Sequence, residues 1–164
     1  MKKIIFTFFA IAICCLSFSQ GLPNFDTIKL EGKADYKAAE PYALQASTFL
    51  LSTPPKKDDF DRSKSFQFVI KWMSGTPDYS FAIDDVASKI MKGNDEELLG
   101  LYMAAMTKYA LENKDSAGDQ KLVKLNAVTT LLNYCEDPAN GIKMSKGLKK
   151  LSEAKAAGKL EQSI

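Results

Sequence analysis

Chemistry in this chain would have to come from a thiol, from clustered carboxylates or from a run of lysines. Cys135 is the one cysteine outside the N-terminal apolar run that holds Cys14 and Cys15. A thiolate reacts once its pKa is lowered, but the chain contains no histidine to accept the proton. Cys135 also continues the stripe Leu125, Val128 and Leu132 at helical spacing, which reads as a core position. Asp58, Asp59 and Asp61 cluster as hard-cation ligands would, yet a calcium loop also needs a central glycine and a distal glutamate, which this stretch lacks. Helix capping by Asp58 or Asp59 accounts for them better. Asp84-Asp85 and Glu96-Glu97 hold the residue type a glycoside hydrolase needs, although adjacent carboxylates on a helix point in different directions. A solvated helical face explains them more simply.

Missing histidine removes Ser-His and Cys-His nucleophile systems together with the commonest zinc ligand, so no catalytic residue, metal or cofactor is expected. Lys143, Lys146 and Lys150 recur at i, i+3 and i+7, a basic stripe that could face an anion or simply water. The apolar face behind that stripe is thin for membrane insertion.

The residues suited to binding instead gather around the only tryptophan. Phe66, Val69, Ile70 and Met73 recur at helical spacings and predict a buried face that ends at Gly75, expected in the left-handed conformation, with Pro77 blocking continuation. Trp72, Tyr79 and Phe81 flank the corner and read first as a packed aromatic cluster, with an exposed ligand or partner surface as the second reading. Tyr102 and Met106, in an apolar segment rich in methionine, join them as candidate surface residues.

These groups need helices to position them. Asp35 through Ala39 predicts a helical turn, and Pro41 opens a helix with Ala43, Leu44, Ser47, Leu50 and Leu51 on one side, ended by Thr53-Pro54-Pro55. The next helix runs from about Phe60 to the Trp72 corner. Ile83, Val86, Ala87, Ile90 and Met91 mark another, stopped by Gly93. Asn94 and Glu97 have capping-box spacing, and the segment Leu98 to Leu111 is apolar or small on most sides, as a central helix would be. Gly100, Ala104 and Ala105 would let neighbours approach closely there. Leu122, Leu125, Val128, Thr129, Leu132 and Cys135 trace a further face, and Leu148 and Leu151 belong to a last, weaker helix. About six helices with short connections predict an all-α domain of stacked antiparallel hairpins, as a helical bundle or short solenoid. Leu99-Gly100 and Tyr102 approach a tetratricopeptide pattern, but Tyr102 is one position early and Glu112 stands where a small residue belongs, so that repeat is not assigned.

Lys2 and Lys3 precede an apolar run from Ile4 to Leu16 and the small-residue exit Ser17-Phe18-Ser19, the pattern of a secretory signal peptide. The run falls short of the roughly 20 apolar residues of a membrane span. Bulky Ile13 and Cys14 before the two cysteines argue against a lipoprotein signal. The expected organisation is a signal peptide over 1–19, an extended leader over 20–34 and one helical domain over 35–164. Cleavage after Ser19 would leave 145 of the 164 residues, with 20 basic against 20 acidic side chains and a single cysteine. Such a chain relies on packing, and nothing in its charge favours nucleic acid.

The segment Trp72-Met73-Ser74-Gly75-Thr76-Pro77-Asp78-Tyr79-Ser80-Phe81, together with Leu99-Gly100-Leu101-Tyr102-Met103-Ala104-Ala105-Met106, resembles small uncharacterised exported proteins of Gram-negative bacteria. The resemblance runs from about Tyr36 to the C-terminus and implies an exported helical domain, bringing no activity, cofactor or site residue with it. The expected function is a periplasmic or secreted, non-enzymatic interaction module for a protein or peptide of the cell envelope. The alternatives are a carrier of a small apolar ligand between helices and a carboxylate-dependent glycan hydrolase.

Overall fold

The computed structural model describes residues 21–83, 85–90 and 96–164. Among these residues the protein is all-α, with seven helices: α1 (Lys33–Ala38), α2 (Glu40–Ser52), α3 (Phe60–Gly75), α4 (Asp85–Ile90), α5 (Glu96–Glu112), α6 (Gln120–Glu136) and α7 (Lys146–Ala156). The expected signal peptide, Asp84 and the segment 91–95, with the Gly93 stop and Asn94, lie outside the described residues.

Helix starts follow local chemistry. The Asp59 carboxylate accepts the Arg62 backbone N–H at 2.9 Å and opens α3. Asp119 accepts from Lys121 and Leu122 at the start of α6, and Ser145 accepts from Leu148 at the start of α7. Each cap satisfies backbone donors that have no partner within the helix. Proline falls in the first turn of α2, where its missing N–H is not needed.

Helix α5 is the centre of the packing, touching α2, α3, α4 and α6. Leu98, Gly100 to Thr107, Ala110 and Leu111 are buried along it, so nearly its whole circumference faces protein. The pairs α2–α3 and α5–α6 are joined face to face through α2 and α5, while α7 closes one side against α4 and α6. The two helices in contact, α2 and α5, both bury small residues: Ala43, Ala46 and Ser47 on one and Ala104 and Ala110 on the other are fully enclosed. Gly100 has a separate function. A Cβ there would lie 2.5 Å from the Phe66 ring, so glycine lets α3 seat an aromatic ring on α5.

Three sequence expectations change in detail. Gly75 is the last residue of α3, and positive φ among the described residues is confined to Asp58, Gly141 and Gly158. It is needed for closeness rather than handedness, because a Cβ would come within 1.9 Å of the Tyr36 hydroxyl. On α3 the enclosed side is Arg62, Ser65, Phe68, Val69, Trp72 and Met73, whereas Ile70 is 43 % exposed and Phe66 is half-buried. One helical residue turns the side chain by about 100°, which carries Ile70 past the edge of the face that holds Val69. On α6 the core takes Val123, Ala127, Val128, Leu131, Leu132, Tyr134 and Cys135, leaving Leu122 at the exposed first turn.

The segment before α1 crosses α3. It forms one 3-10 turn at Phe25–Thr27 and buries Phe25 and Leu30 in the common core.

Candidate functional site

Trp72 is fully buried at the end of α3, and its indole N–H donates to the Tyr36 carbonyl at 3.0 Å. Tyr79 and Phe81 are half-buried and pack on it, with ring centroids 5.5 and 6.3 Å away. Gln120 fastens this loop from α6: its side chain accepts from the Ala82 N–H at 3.0 Å and donates to the Ser80 carbonyl at 2.8 Å. Tyr102 and Met106 lie inside α5 with no exposed surface to offer. The structure therefore does not bring the five candidate residues onto one accessible face. Trp72, Tyr102 and Met106 build the core, and Tyr79 and Phe81 seal its edge.

Glu40 sits beneath that edge, almost enclosed. It accepts from the Tyr79 hydroxyl at 3.2 Å, from Lys37 at 2.9 Å and from Lys114 at 2.5 Å. Burial pushes the Glu40 carboxyl up, but hydrogen bonds and charge from Lys114 and Lys37 outweigh it and hold the group below its ordinary value. Tyr79 is pushed the other way, first by burial and then by the negative Glu40.

A second buried polar group escapes any reading of the sequence by motif. Arg62, the only arginine, is 4 % exposed. Its guanidinium donates to Glu97 at 2.9 and 2.8 Å, to the carbonyls of Leu50 and Thr53 at 3.1 Å each, and to the Tyr134 hydroxyl at 3.1 Å. The Tyr134 hydroxyl in turn donates to the Thr53 carbonyl at 2.7 Å. Arg62 thereby closes the C-terminal end of α2, whose last carbonyls have no helical partner, and ties it to the starts of α3 and α5 and to α6. A planar fork with five donors suits this position, where a lysine could not reach all the acceptors. The signal available in the sequence was the one arginine among many lysines, three residues after a capping aspartate.

The remaining candidates have structural employment or open exposure. Cys135 is buried. Asp59 caps α3, Glu97 pairs with Arg62, and Glu96 is exposed. Among the described residues no group of three or more acidic or cysteine side chains is arranged to hold a metal ion. Lys143, Lys146 and Lys150 are all exposed, but only Lys146 and Lys150 lie on α7, with Leu148 and Leu151 buried on the same helix; Lys143 precedes the Ser145 cap, so the expected three-lysine helical stripe loses its first member.

What stays open is the other end of α3. Leu22, Pro23, Asn24, Phe25 and Asp26 from the leader meet Phe60, Asp61 and Lys64 from α3 around an open cleft of about 360 Å³. Phe60 is 69 % exposed at its rim, the most exposed large hydrophobic side chain among the described residues. Lys64 lies 5.4 Å from the centre of the Phe60 ring and pairs with Asp26 at 2.8 Å. A neighbouring cleft of about 150 Å³ continues along the leader past Ile28, Leu30, Gln67 and Lys71.

No family model, no curated protein and no solved structure matches this chain. No described helix is long and apolar enough to cross a membrane.

Proposed function

We propose that the protein is an exported, non-enzymatic helical interaction module that meets a protein or peptide of the cell envelope at the cleft between its leader and α3. The observation that carries this reading is Phe60. An aromatic ring left 69 % in water beside an open cleft, with mixed apolar and charged walls, has the composition of a contact surface. Export is supported by Lys2, Lys3, the apolar run Ile4 to Leu16 and the small-residue exit before Gln20. A binding rather than catalytic function is supported by the fate of the reactive groups: the Cys135 thiol is enclosed, and Glu40, Asp59 and Glu97 are committed to ion pairs or a cap. The carrier and hydrolase readings have weaker support, since the side chains that suggested a ligand chamber fill the core with one another.

A photo-crosslinking residue in place of Phe60 tests the proposal in the native envelope. A discrete adduct with one polypeptide is expected from position 60, and none from the same probe at the exposed Ser74 on the far end of α3. Equal labelling at both positions, or none at 60, would remove this surface as the contact site.

A further inference from the structure

Residues 22–31 lie across the outer side of α3 as a strap, and the way they are held describes what else could lie there. Phe25 stacks on Phe68 with ring centroids 4.7 Å apart and planes 24° apart. Leu30 is the second buried anchor. Between them the Asp26 carboxylate accepts from Lys64 at 3.0 and 2.8 Å. The strap's backbone hydrogen bonds are its own: Thr27 to the Asn24 carbonyl and Ile28 to the Phe25 carbonyl, with Glu31 and Gly32 donating to the Asp35 side chain at the entry to α1. Among the described residues, none joins it to the backbone of α3.

A segment attached by side chains alone can be exchanged without breaking a helix, and here it underfills its seat. The 360 Å³ cleft opens on one flank and the 150 Å³ cleft on the other. The charges are also incompletely matched. Lys64 and Lys71 both line the second cleft; Lys64 has its carboxylate, whereas Lys71 is exposed and makes no ion pair with the described residues.

We infer that the groove on α3 is a docking site for an extended peptide in which an aromatic residue is followed directly by an acidic one, and that the Phe25-Asp26 strap is the internal stand-in such a partner displaces. This rests on the contact surface proposed above and names the chemistry of what binds there. Phe68 supplies the aromatic seat, Lys64 reads the adjoining carboxylate, Lys71 accepts a second acidic group, and Phe60 adds an apolar contact in the first cleft. Being tethered, the strap competes at high effective concentration, so a partner must gain from Phe60 and Lys71 of α3, which the strap leaves exposed.

A fluorescein-labelled peptide with the sequence of residues 21–31 is the probe, titrated by anisotropy against the full chain. The Phe25→Ala chain, whose own strap has lost its ring, is expected to bind it at least about tenfold more tightly than the unsubstituted chain. Replacing the peptide's phenylalanine by alanine should abolish binding. Lys64→Glu in the Phe25→Ala chain should weaken it, and a peptide with lysine in place of its aspartate should restore it. The exposed pair offers a second route, Asp26→Lys, which repels Lys64 without touching the core ring and should also admit the probe.

No binding by either variant while the helical circular dichroism is retained overturns the inference, as does binding indifferent to the Lys64 reversal. A concentration-dependent dimer that crosslinks Phe25 of one copy to Phe68 of another would also overturn it in favour of strap exchange. The assay uses no envelope component, so its failure leaves the Phe60 crosslinking result to stand or fall separately.

Discussion

The two ends of α3 carry aromatic clusters of similar composition and opposite accessibility. At the C-terminal end, Trp72 is enclosed by Tyr36, Tyr79 and Phe81, with Gly75 yielding space for the Tyr36 ring. Toward the N-terminal end, Phe25 stacks on Phe68 at mid-helix, yet Phe60, the first residue of α3, stands in solvent beside an open cleft. The difference lies in what covers each end. The Trp72 corner is clamped by the 76–82 loop, which Gln120 and Glu40 hold through directed hydrogen bonds. The other end is covered by a strap with two apolar anchors and one partly exposed ion pair. Aromatic content marks both; the bonding of the covering segment decides which is a core and which is a surface.

Several substitutions would break or sharpen this contrast. Trp72→Ala should cost the most, about 3–5 kcal/mol, by emptying the sealed end and leaving the Tyr36 carbonyl without its donor; a urea melt followed by circular dichroism measures it. A loss under about 1 kcal/mol would show that this corner is looser than its enclosure implies. Arg62→Leu should cost on the order of 3 kcal/mol, because the Leu50 and Thr53 carbonyls and Glu97 lose their partner together. Its effect on the Phe60 crosslink should be negligible in the folded fraction, since Arg62 lies on the inner side of the helix. Gly75→Ala should cost about 1–3 kcal/mol by forcing the Tyr36 ring away from α3, and Tyr36→Leu in the same chain should recover part of that loss.

The seal at Trp72 should also depend on acid. The folded Glu40 carboxyl lies below its ordinary value of 4.5, so its contribution is complete above that value and is lost as pH falls through the lower folded one. Glu40→Gln is therefore expected to shrink the difference in urea midpoint between about pH 6 and about pH 3. An unchanged difference would place the acid sensitivity elsewhere, with Glu136, held low chiefly by its hydrogen bond from Lys155, as the next group to substitute. The smallest effect is expected at the open end. Phe60→Ser should change stability by no more than about 0.5 kcal/mol while removing partner capture, the reverse of the Trp72→Ala result.

Much of the fold was legible because helix periodicity and caps are local. The Asp59 cap, the apolar run from Leu98 to Leu111, the closeness allowed by Gly100 and the packed reading of Cys135 all follow from spacing and residue type. Register within a helix was less legible, as Ile70 and Leu122 show: an apolar residue at the margin of a stripe is buried only if a neighbouring helix reaches it. The candidate contact site was the least legible. Phe60 read only as the start of a helix, and residues 20–34 only as an extended leader, with neither spacing nor residue type marking a cleft between them.

The sequence alone determined the all-α class, helix starts such as the Asp59 cap, and many of the residues able to form a core, because these depend on neighbours three or four positions away. Tertiary structure decided that Trp72, Tyr102 and Met106 face inward, and that Arg62 ties its own helix to three others, reaching a partner 72 positions away. It also decided that the leader crosses α3 and leaves Phe60 uncovered. Exposure and long-range pairing depend on which distant surfaces meet, and no local spacing encodes that.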